Sequence, residues 1–152
     1  MKKRVWPILL IIWIAFIFFN SLQTGDTSSD FSGFFTTLFQ KMLSFFGIEA
    51  SVDTLSLLIR KGAHMFEFFV LALLFCINYL ARYPLKSTIE KALVSAIAVA
   101  ITDEILQLFV NGRAGTIIDV AIDNVGTVFG LLLFYIILRN KQKKPRTPLN
   151  NN

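Results

Sequence analysis

The chain has 152 residues, of which 55% are hydrophobic and 16% charged, and its net charge is +5. Soluble domains contain about 45–50% apolar and about 25% charged residues, so this composition excludes an ordinary soluble enzyme, a disordered chain and a coiled coil. The length allows one domain, or up to about five membrane helices of roughly 20 residues each. Since Cys76 is the one cysteine, no internal disulfide bond can form.

Four apolar segments, in chain order, predict an all-α fold: an integral membrane four-helix bundle. Their ranges are about 5–22, 62–80, 92–110 and 116–138. The first segment follows Lys2, Lys3 and Arg4, as the apolar part of a signal peptide would. The residues after it lack a small-x-small cleavage site, so we expect this helix to be retained.

The distribution of positive charge predicts the topology of these spans. With four spans, eleven of the 15 Lys and Arg residues fall on one side, at the N-terminus, in the second connection and in the tail. Cytoplasmic segments carry an excess of Lys and Arg, so both termini are predicted to be cytoplasmic. We divide the chain into a transmembrane domain, 1–140, and a basic disordered tail, 141–152, that would contact anionic headgroups. No folded basic surface is predicted, so we expect no nucleic-acid partner.

The connection between the first two spans, residues 23–60, has the pattern of an amphipathic helix. Its apolar stripe consists of Phe31, Phe34, Phe35, Leu38, Phe39, Met42, Leu43 and Phe46. Asp30 can cap the start of this helix and Gly47 can end it. We predict a helix lying flat on the outer leaflet. The alternative is that the stripe packs against the bundle, and the pattern does not separate the two. A second short helix starting at Ser51 leads into the second span.

Ionisable side chains lie inside the predicted spans, where charge is costly, and such residues are functional-site hypotheses by default. They are His64, Glu67, Asp103, Glu104, Asp119 and Asp123. All lie near the outer ends of their spans, at the level of Lys61 and Arg113. Polar and small residues share one face of each helix, so the simplest packing builds a polar pocket that opens to the outer surface. The alternative is that these charges pair only to fix helix register.

The residue types in this cluster allow two kinds of chemistry. A carboxyl group and His64 could act as general acid and base, which makes His64, Asp103 and Glu104 the catalytic candidates. Arg113, on a tight turn, could bind a phosphate or carboxylate, or it could be an interfacial cation. A single His excludes a multi-His zinc site. No ligand-spaced motif supports another metal, so we expect no metal and no cofactor.

The ordered set of polar motifs resembles the VanZ-like family of small bacterial membrane proteins. The motifs are Lys61-x-x-His64-x-x-Glu67-Phe68, Asp103-Glu104-x-x-Gln107, Arg113-x-Gly115-x-x-x-Asp119 and Asn124-x-Gly126-x-x-x-Gly130. The polar run Asn20-Ser21-Leu22-Gln23 fits the family as well. Family members usually have Tyr where Phe68 stands, so this chain lacks that hydroxyl. The spacing of Gly126 and Gly130 also predicts close helix approach.

The resemblance implies a four-span protein of the bacterial cytoplasmic membrane, linked to the cell envelope and to low-level resistance to the glycopeptide teicoplanin. It places the shared polar positions, our candidate binding residues, at Lys61, His64, Glu67, Asp103, Glu104, Gln107, Arg113, Asp119 and Asn124. The first hypothesis is non-enzymatic binding of a membrane lipid, a lipid-linked envelope component or a glycopeptide antibiotic. The second is a membrane-embedded acid–base enzyme that acts on a lipid or lipid-linked wall precursor. The third is a small transporter or scaffold.

Overall fold

A computed structural model describes residues 5–23, 25–47, 49, 51–113 and 115–143, with the backbone alone for 25–32 and 142–143. Throughout these ranges the regular elements are helices, as the sequence predicts. They are α1 (Val5–Ser21), α2 (Gly25–Phe45), α3 (Val52–Leu80), α4 (Leu85–Gln107) and α5 (Ile117–Lys143). The predictions for Lys2, Lys3, Arg4, the side chains of Asp30 and Phe31, and tail residues 144–152 lie outside this description.

Helix boundaries differ from the predicted ones in three places. α2 begins at Gly25 rather than at Asp30, because the polar run before Phe31 has no apolar period that could mark the start. α4 begins at Leu85, directly after Pro84, whereas the predicted segment begins at residue 92. The first two turns of the helix are polar, so the hydropathy pattern did not include them. α5 continues to Lys143, three residues into the range predicted to be disordered.

Two predicted helix ends are confirmed by local backbone geometry. Gly47 follows α2 with a φ of 73°, a left-handed conformation that glycine adopts without steric cost. Ser51 is the N-cap of α3, and its side chain accepts a hydrogen bond from the Thr54 amide at 3.2 Å. The helix that starts there is continuous with the second span rather than separate from it.

Contacts along the helices show that α1 and α4 run opposite to α3 and α5. Near the start of α1, the Trp6 carbonyl accepts a hydrogen bond from Asn78 at the end of α3. At the other end of α1, Asn20 donates to Glu67 of α3. The parallel pair is α3 and α5, since Lys61 pairs with Asp119. Asn20, Glu67, Lys61 and Asp119 therefore lie at the same end of the bundle, which we call the polar end. We call the opposite end, which contains Asn78, the apolar end.

The closest helix contact joins α3 and α5. A Cβ atom at Gly126 would overlap the Met65 carbonyl, and one at Gly130 would overlap the Phe69 carbonyl. The predicted close approach at this glycine pair is thus confirmed. The core beside it is built from small and large apolar residues, all less than a tenth exposed: Ile17, Phe68, Leu71, Ala72, Phe75, Cys76, Ala92, Ala96, Ala100, Leu131 and Phe134.

Large apolar side chains cover much of the outer surface of the bundle. Ile11 of α1, Phe66 of α3, Val94 of α4 and Phe129 of α5 are each more than half exposed. Two helices, Val52–Leu80 and Ile117–Lys141, are long and apolar enough to cross a membrane. α1 is equally apolar in character but has 17 residues.

α2 buries Thr36 of its polar side and leaves most of its apolar stripe exposed. Thr36 is buried, whereas Phe34 and Phe46 are each 72% exposed. Phe35, Leu38, Phe39 and Met42 are exposed as well, and Leu43 is half-buried. This exposure does not fit the alternative in which the stripe packs against the bundle. Both ends of α2 attach at the polar end, because α1 ends there and α3 begins there.

Candidate functional site

A cavity of about 240 Å³ opens at the polar end between α3, α4, α5 and the turn that joins the last two. Its lining consists of Arg60, Lys61, His64, Glu104, Gln107, Gly112, Arg113, Asp119, Ile122 and Asp123. Six of the nine predicted binding residues are among them. The inward-facing stripes predicted for α3, α4 and α5 are therefore present, and they meet at one depth.

Asp103 lies beneath the cavity, with no exposed surface. Its Oδ2 accepts hydrogen bonds from the Ser21 hydroxyl at 2.7 Å and from the Gln107 amide at 3.1 Å. Ser21 is the last residue of α1 and is itself fully buried. The first helix is thus tied to α4 by a buried hydrogen bond.

Glu67 forms a second link between α1 and the cluster. Asn20 donates to its Oε1 at 2.8 Å, and the Trp13 indole donates to its backbone carbonyl at 3.0 Å. His64 Nδ1 lies 3.5 Å from Glu67 Oε2, but neither atom has a hydrogen-bond partner among the described residues. We therefore describe His64 and Glu67 as neighbours rather than as a hydrogen-bonded pair.

The turn between α4 and α5 is fixed to both helices by side-chain hydrogen bonds. Glu104 Oε2 accepts from the Thr116 amide at 2.8 Å. The Thr116 hydroxyl donates to Asp119 Oδ2 at 2.8 Å and accepts from the Asp119 amide at 3.1 Å, which caps the start of α5. Lys61 of α3 pairs with the other oxygen of Asp119. A Cβ atom at Gly115 would overlap the Glu104 carbonyl, so this turn needs glycine to pack on α4.

Arg113 projects from this turn into the cavity. Its Nη2 donates to the Asn20 carbonyl at 3.2 Å, and it forms no salt bridge with a carboxylate in the described ranges. Burial and the neighbouring Arg60 lower the pKa of the Arg113 guanidinium from its ordinary value. The ordinary pKa of a guanidinium is so high that the group cannot be deprotonated in a protein, so it stays charged. Arg113 therefore carries a half-buried positive charge, and some of its N–H donors make no hydrogen bond to a described residue.

Three carboxyl groups converge at the base of the cavity. Asp103, Glu104 and Asp123 each offer an oxygen atom, and these atoms lie within 4.8 Å of one another. All three residues are buried. Two come from α4 and the third from α5, so this cluster depends on how the helices pack and cannot be found from spacing in one segment.

Comparison with known proteins gives the family. The family model described as VanZ/LLP1 matches residues 6–138, which include every residue of the polar cluster. The chain belongs to the VanZ/LLP1 family. Membership confirms the resemblance noted in the sequence and suggests a membrane-associated cell-envelope protein linked to teicoplanin resistance. No curated protein and no solved structure matched the chain.

Three residues that the VanZ-like resemblance singled out stand apart from the cavity lining. Glu67 and Asp103 lie behind it in the hydrogen-bonded layer. Asn124 donates to the Val120 carbonyl of its own helix at 2.7 Å, and the structure does not bring it to the cavity.

Sequence reasoning left four residues of this VanZ/LLP1 member out of the nine candidate binding residues, although it named Asp123 among the ionisable residues of the spans. Trp13 and Ser21 are held by hydrogen bonds to Glu67 and Asp103, and Arg60 lines the cavity. The fourth is Asp123, which lies four residues after Asp119 on the inward face of α5. That spacing was visible in the sequence, whereas nothing in the sequence marks Trp13 as a hydrogen-bond donor to α3.

Proposed function

We propose that this protein has four membrane spans, α1, α3, α4 and α5, with its polar end at the outer surface and both termini in the cytoplasm. The alternating helix directions support this topology. Positive charge supports the orientation, since Arg82, Lys86 and Lys91 lie around the connection at the apolar end. The exposed apolar side chains of the bundle would face lipid, where they cost nothing.

We propose in addition that α2 lies in the outer leaflet beside the cavity. Its exposed phenylalanine side chains would enter the headgroup–acyl boundary, as in other interfacial helices. Thr37 and Ser44 on its polar face are exposed as well, so the helix presents an apolar face for lipid beside a polar face for water, as an interfacial position requires. Lipid headgroups would then lie next to the cavity mouth.

The function that this site supports best is binding of the phosphate-bearing headgroup of an outer-leaflet lipid or lipid-linked envelope component. The observation that carries this proposal is the half-buried Arg113 guanidinium, directed into a cavity that Arg60 and Lys61 also line. Guanidinium groups bind phosphate through paired, charge-assisted hydrogen bonds. Lys61 is paired with Asp119, so Arg113 and Arg60 are the cations left for an anion.

The size of the cavity limits what can enter it. Pockets for drug-sized ligands are about 300–1,000 Å³, and this cavity is about 240 Å³. A headgroup fits such a volume, and a whole glycopeptide antibiotic does not. We therefore propose that the family's link to teicoplanin resistance acts here through a lipid or other surface component that the protein binds or alters.

Native mass spectrometry of the purified full-length chain tests this proposal. The probes are phosphatidylglycerol and, as the phosphate-free comparison, diacylglycerol. Arg113→Gln should weaken phosphatidylglycerol binding by about tenfold or more, the cost of a lost charge-assisted hydrogen bond. Arg82→Gln, an exposed arginine at the opposite end, is the matched control and should bind as wild type does. Equal losses in both variants would show that the lipid binds to the general surface and would contradict the proposal.

An acid–base enzyme is the second candidate, because His64 and Glu104 line the same cavity. The described lining residues include no Ser, Thr or Cys, so a hydroxyl or thiol nucleophile would have to come from elsewhere. Asp103 is hydrogen-bonded behind the cavity and is better placed to position Gln107 than to meet a substrate. We therefore place binding ahead of catalysis.

A further inference from the structure

The three converging carboxyl groups are arranged as the oxygen ligands of a metal ion are. One oxygen each from Asp103, Glu104 and Asp123 lies within 4.8 Å of the others. Calcium–oxygen distances are about 2.3–2.6 Å, so two ligands on opposite sides of the ion are roughly 4.6–5.2 Å apart. Three oxygens no more than 4.8 Å apart lie within about 2.8 Å of a common centre, so calcium would contact all three after a shift of a few tenths of an ångström at most, and a smaller cation after a larger one.

Two of these three carboxyl groups have an oxygen without a partner among the described residues. Asp123 is 2% exposed, and its Oδ2 is buried without a hydrogen bond to any described residue. Asp103 Oδ1 is buried and unpartnered as well, while Ser21 and Gln107 hold the other oxygen. Buried polar atoms in native proteins are nearly always paired, so two unpartnered carboxylate oxygens in one buried cluster indicate a missing partner.

The charges around the cluster indicate that this partner is a cation. Within the described ranges, none of the three carboxyl groups forms a salt bridge with a Lys, Arg or His side chain. Lys61 lines the same cavity and is paired with Asp119, and Arg113 donates to the Asn20 carbonyl. Burial of unpaired negative charge costs several kcal/mol per group in real proteins. A divalent ion among the three groups would remove most of that cost.

Neighbouring residues hold the ligands in place, as they do in established metal sites. Ser21 and Gln107 orient Asp103, and the Thr116 amide holds Glu104 Oε2. Thr127, one turn after Asp123 on the same face of α5, is fully buried, and its hydroxyl oxygen has no partner among the described residues. It provides a further oxygen on the same face of α5.

From this geometry we infer that Asp103, Glu104 and Asp123 bind one hard divalent cation, of the class that includes Mg²⁺, Mn²⁺ and Ca²⁺, at the base of the cavity. All-oxygen ligand sets select these ions over zinc, which prefers nitrogen and sulfur. The site lies on residues other than Arg113, and the ion is inferred to bind whether or not a lipid is present. The inference goes beyond the headgroup site and departs from the expectation, drawn from spacing alone, that the chain has no metal site.

Mn²⁺ titration followed by electron paramagnetic resonance tests the inference on the purified full-length chain after treatment with a chelator. We expect one saturable Mn²⁺ per chain, displaced by excess Ca²⁺ or Mg²⁺. Asp123→Asn, nearly the same size as Asp123, should weaken Mn²⁺ binding by more than about tenfold. The matched control is Glu90→Gln, an exposed carboxylate at the apolar end that pairs with Lys86, and it should bind Mn²⁺ as wild type does.

Two outcomes would overturn the inference. The first is a wild-type chain without a saturable Mn²⁺ site, which needs no variant to fold. The second is a correctly folded Asp123→Asn variant, judged by gel filtration and thermal unfolding, that binds Mn²⁺ as wild type does. Arg113→Gln separates this inference from the headgroup proposal, because it should lose phosphatidylglycerol and keep Mn²⁺.

Discussion

The two ends of the bundle are held together in different ways. At the apolar end, Phe75, Cys76, Ala92 and Leu131 fill the space between helices with side chains that need no partners. At the polar end, hydrogen bonds from Ser21 and its neighbours join α1, α3, α4 and the following turn. Packing stabilises the first end, and a network of directional contacts stabilises the second.

Within the described residues, the polar end contains buried polar atoms without hydrogen-bond partners, which stability alone does not require. Every described buried side-chain nitrogen or oxygen without a partner lies at the polar end: His64 Nδ1, Glu67 Oε2, Asp103 Oδ1, Arg113 Nε, Asp123 Oδ2, Asn124 Oδ1 and Thr127 Oγ1. Such atoms lower stability unless a ligand satisfies them. An end built only to fix helix register would pair them, so this arrangement favours a binding site.

The largest expected effect comes from disrupting the close contact between α3 and α5, which fixes the register of the two helices. Gly126→Ala should destabilise the fold by about 3 kcal/mol or more, because the added Cβ overlaps the Met65 backbone, which cannot move away as a side chain can. Gly62→Ala meets open space on α3 and should stabilise it by about 0.5–1 kcal/mol. Thermal unfolding of the purified chain in detergent measures both. A tolerated Gly126→Ala would show that α3 and α5 are farther apart than the structure has them.

A smaller effect is expected from removing one donor of the polar network. Ser21→Ala should cost about 1–3 kcal/mol, because Asp103 loses a buried hydrogen bond. Ser44→Ala is the control, since Ser44 is exposed and its hydroxyl donates within its own helix. It should change the free energy of unfolding by less than about 0.5 kcal/mol. If denaturant unfolding gives the same small value for both, the link between α1 and α4 contributes little.

Removal of the indole donor should have a milder effect. Trp13→Phe keeps the aromatic ring and deletes the hydrogen bond to the Glu67 carbonyl, which should cost about 0.5–1.5 kcal/mol. Trp6→Phe, at the other end of α1 and 42% exposed, serves as the comparison in the same unfolding experiment. A larger loss for Trp6→Phe than for Trp13→Phe would reverse the expected difference between the two ends.

The smallest effect is expected at the surface of the apolar end. Lys86→Gln removes an ion pair with Glu90 whose side chains are 90% and 61% exposed. Solvent and salt screen such a pair, so the change in unfolding free energy should stay within about 0.5 kcal/mol. A loss above 1 kcal/mol in the same assay would show that charge, and not packing alone, stabilises this end.

Much of the fold follows from the sequence because the signals are local. The apolar segments, the inward stripe of Ala96, Ala100 and Asp103, and the glycine pair on α5 all appear in the structure as predicted. The start of α2 did not follow, because several residues before Phe31 can cap a helix equally well. The inward faces of Asp103 and Asp123 were predicted, whereas the approach of their carboxylate oxygens to within 4.8 Å was not, because it depends on the rotation of α5 against α4. Hydrogen bonds from Trp13 and Ser21 to other helices are non-local for the same reason.

Whether the polar end binds its ligand or converts it is the central point, and one mass-spectrometric comparison tests it most directly. Envelope lipids and wall precursors would be compared in cells that lack the protein, cells that express it, and cells that express His64→Asn at a matched level. The binding account predicts no covalent species that depends on the protein. A species present with the wild type and absent with His64→Asn would contradict that account and identify the substrate of an acid–base enzyme.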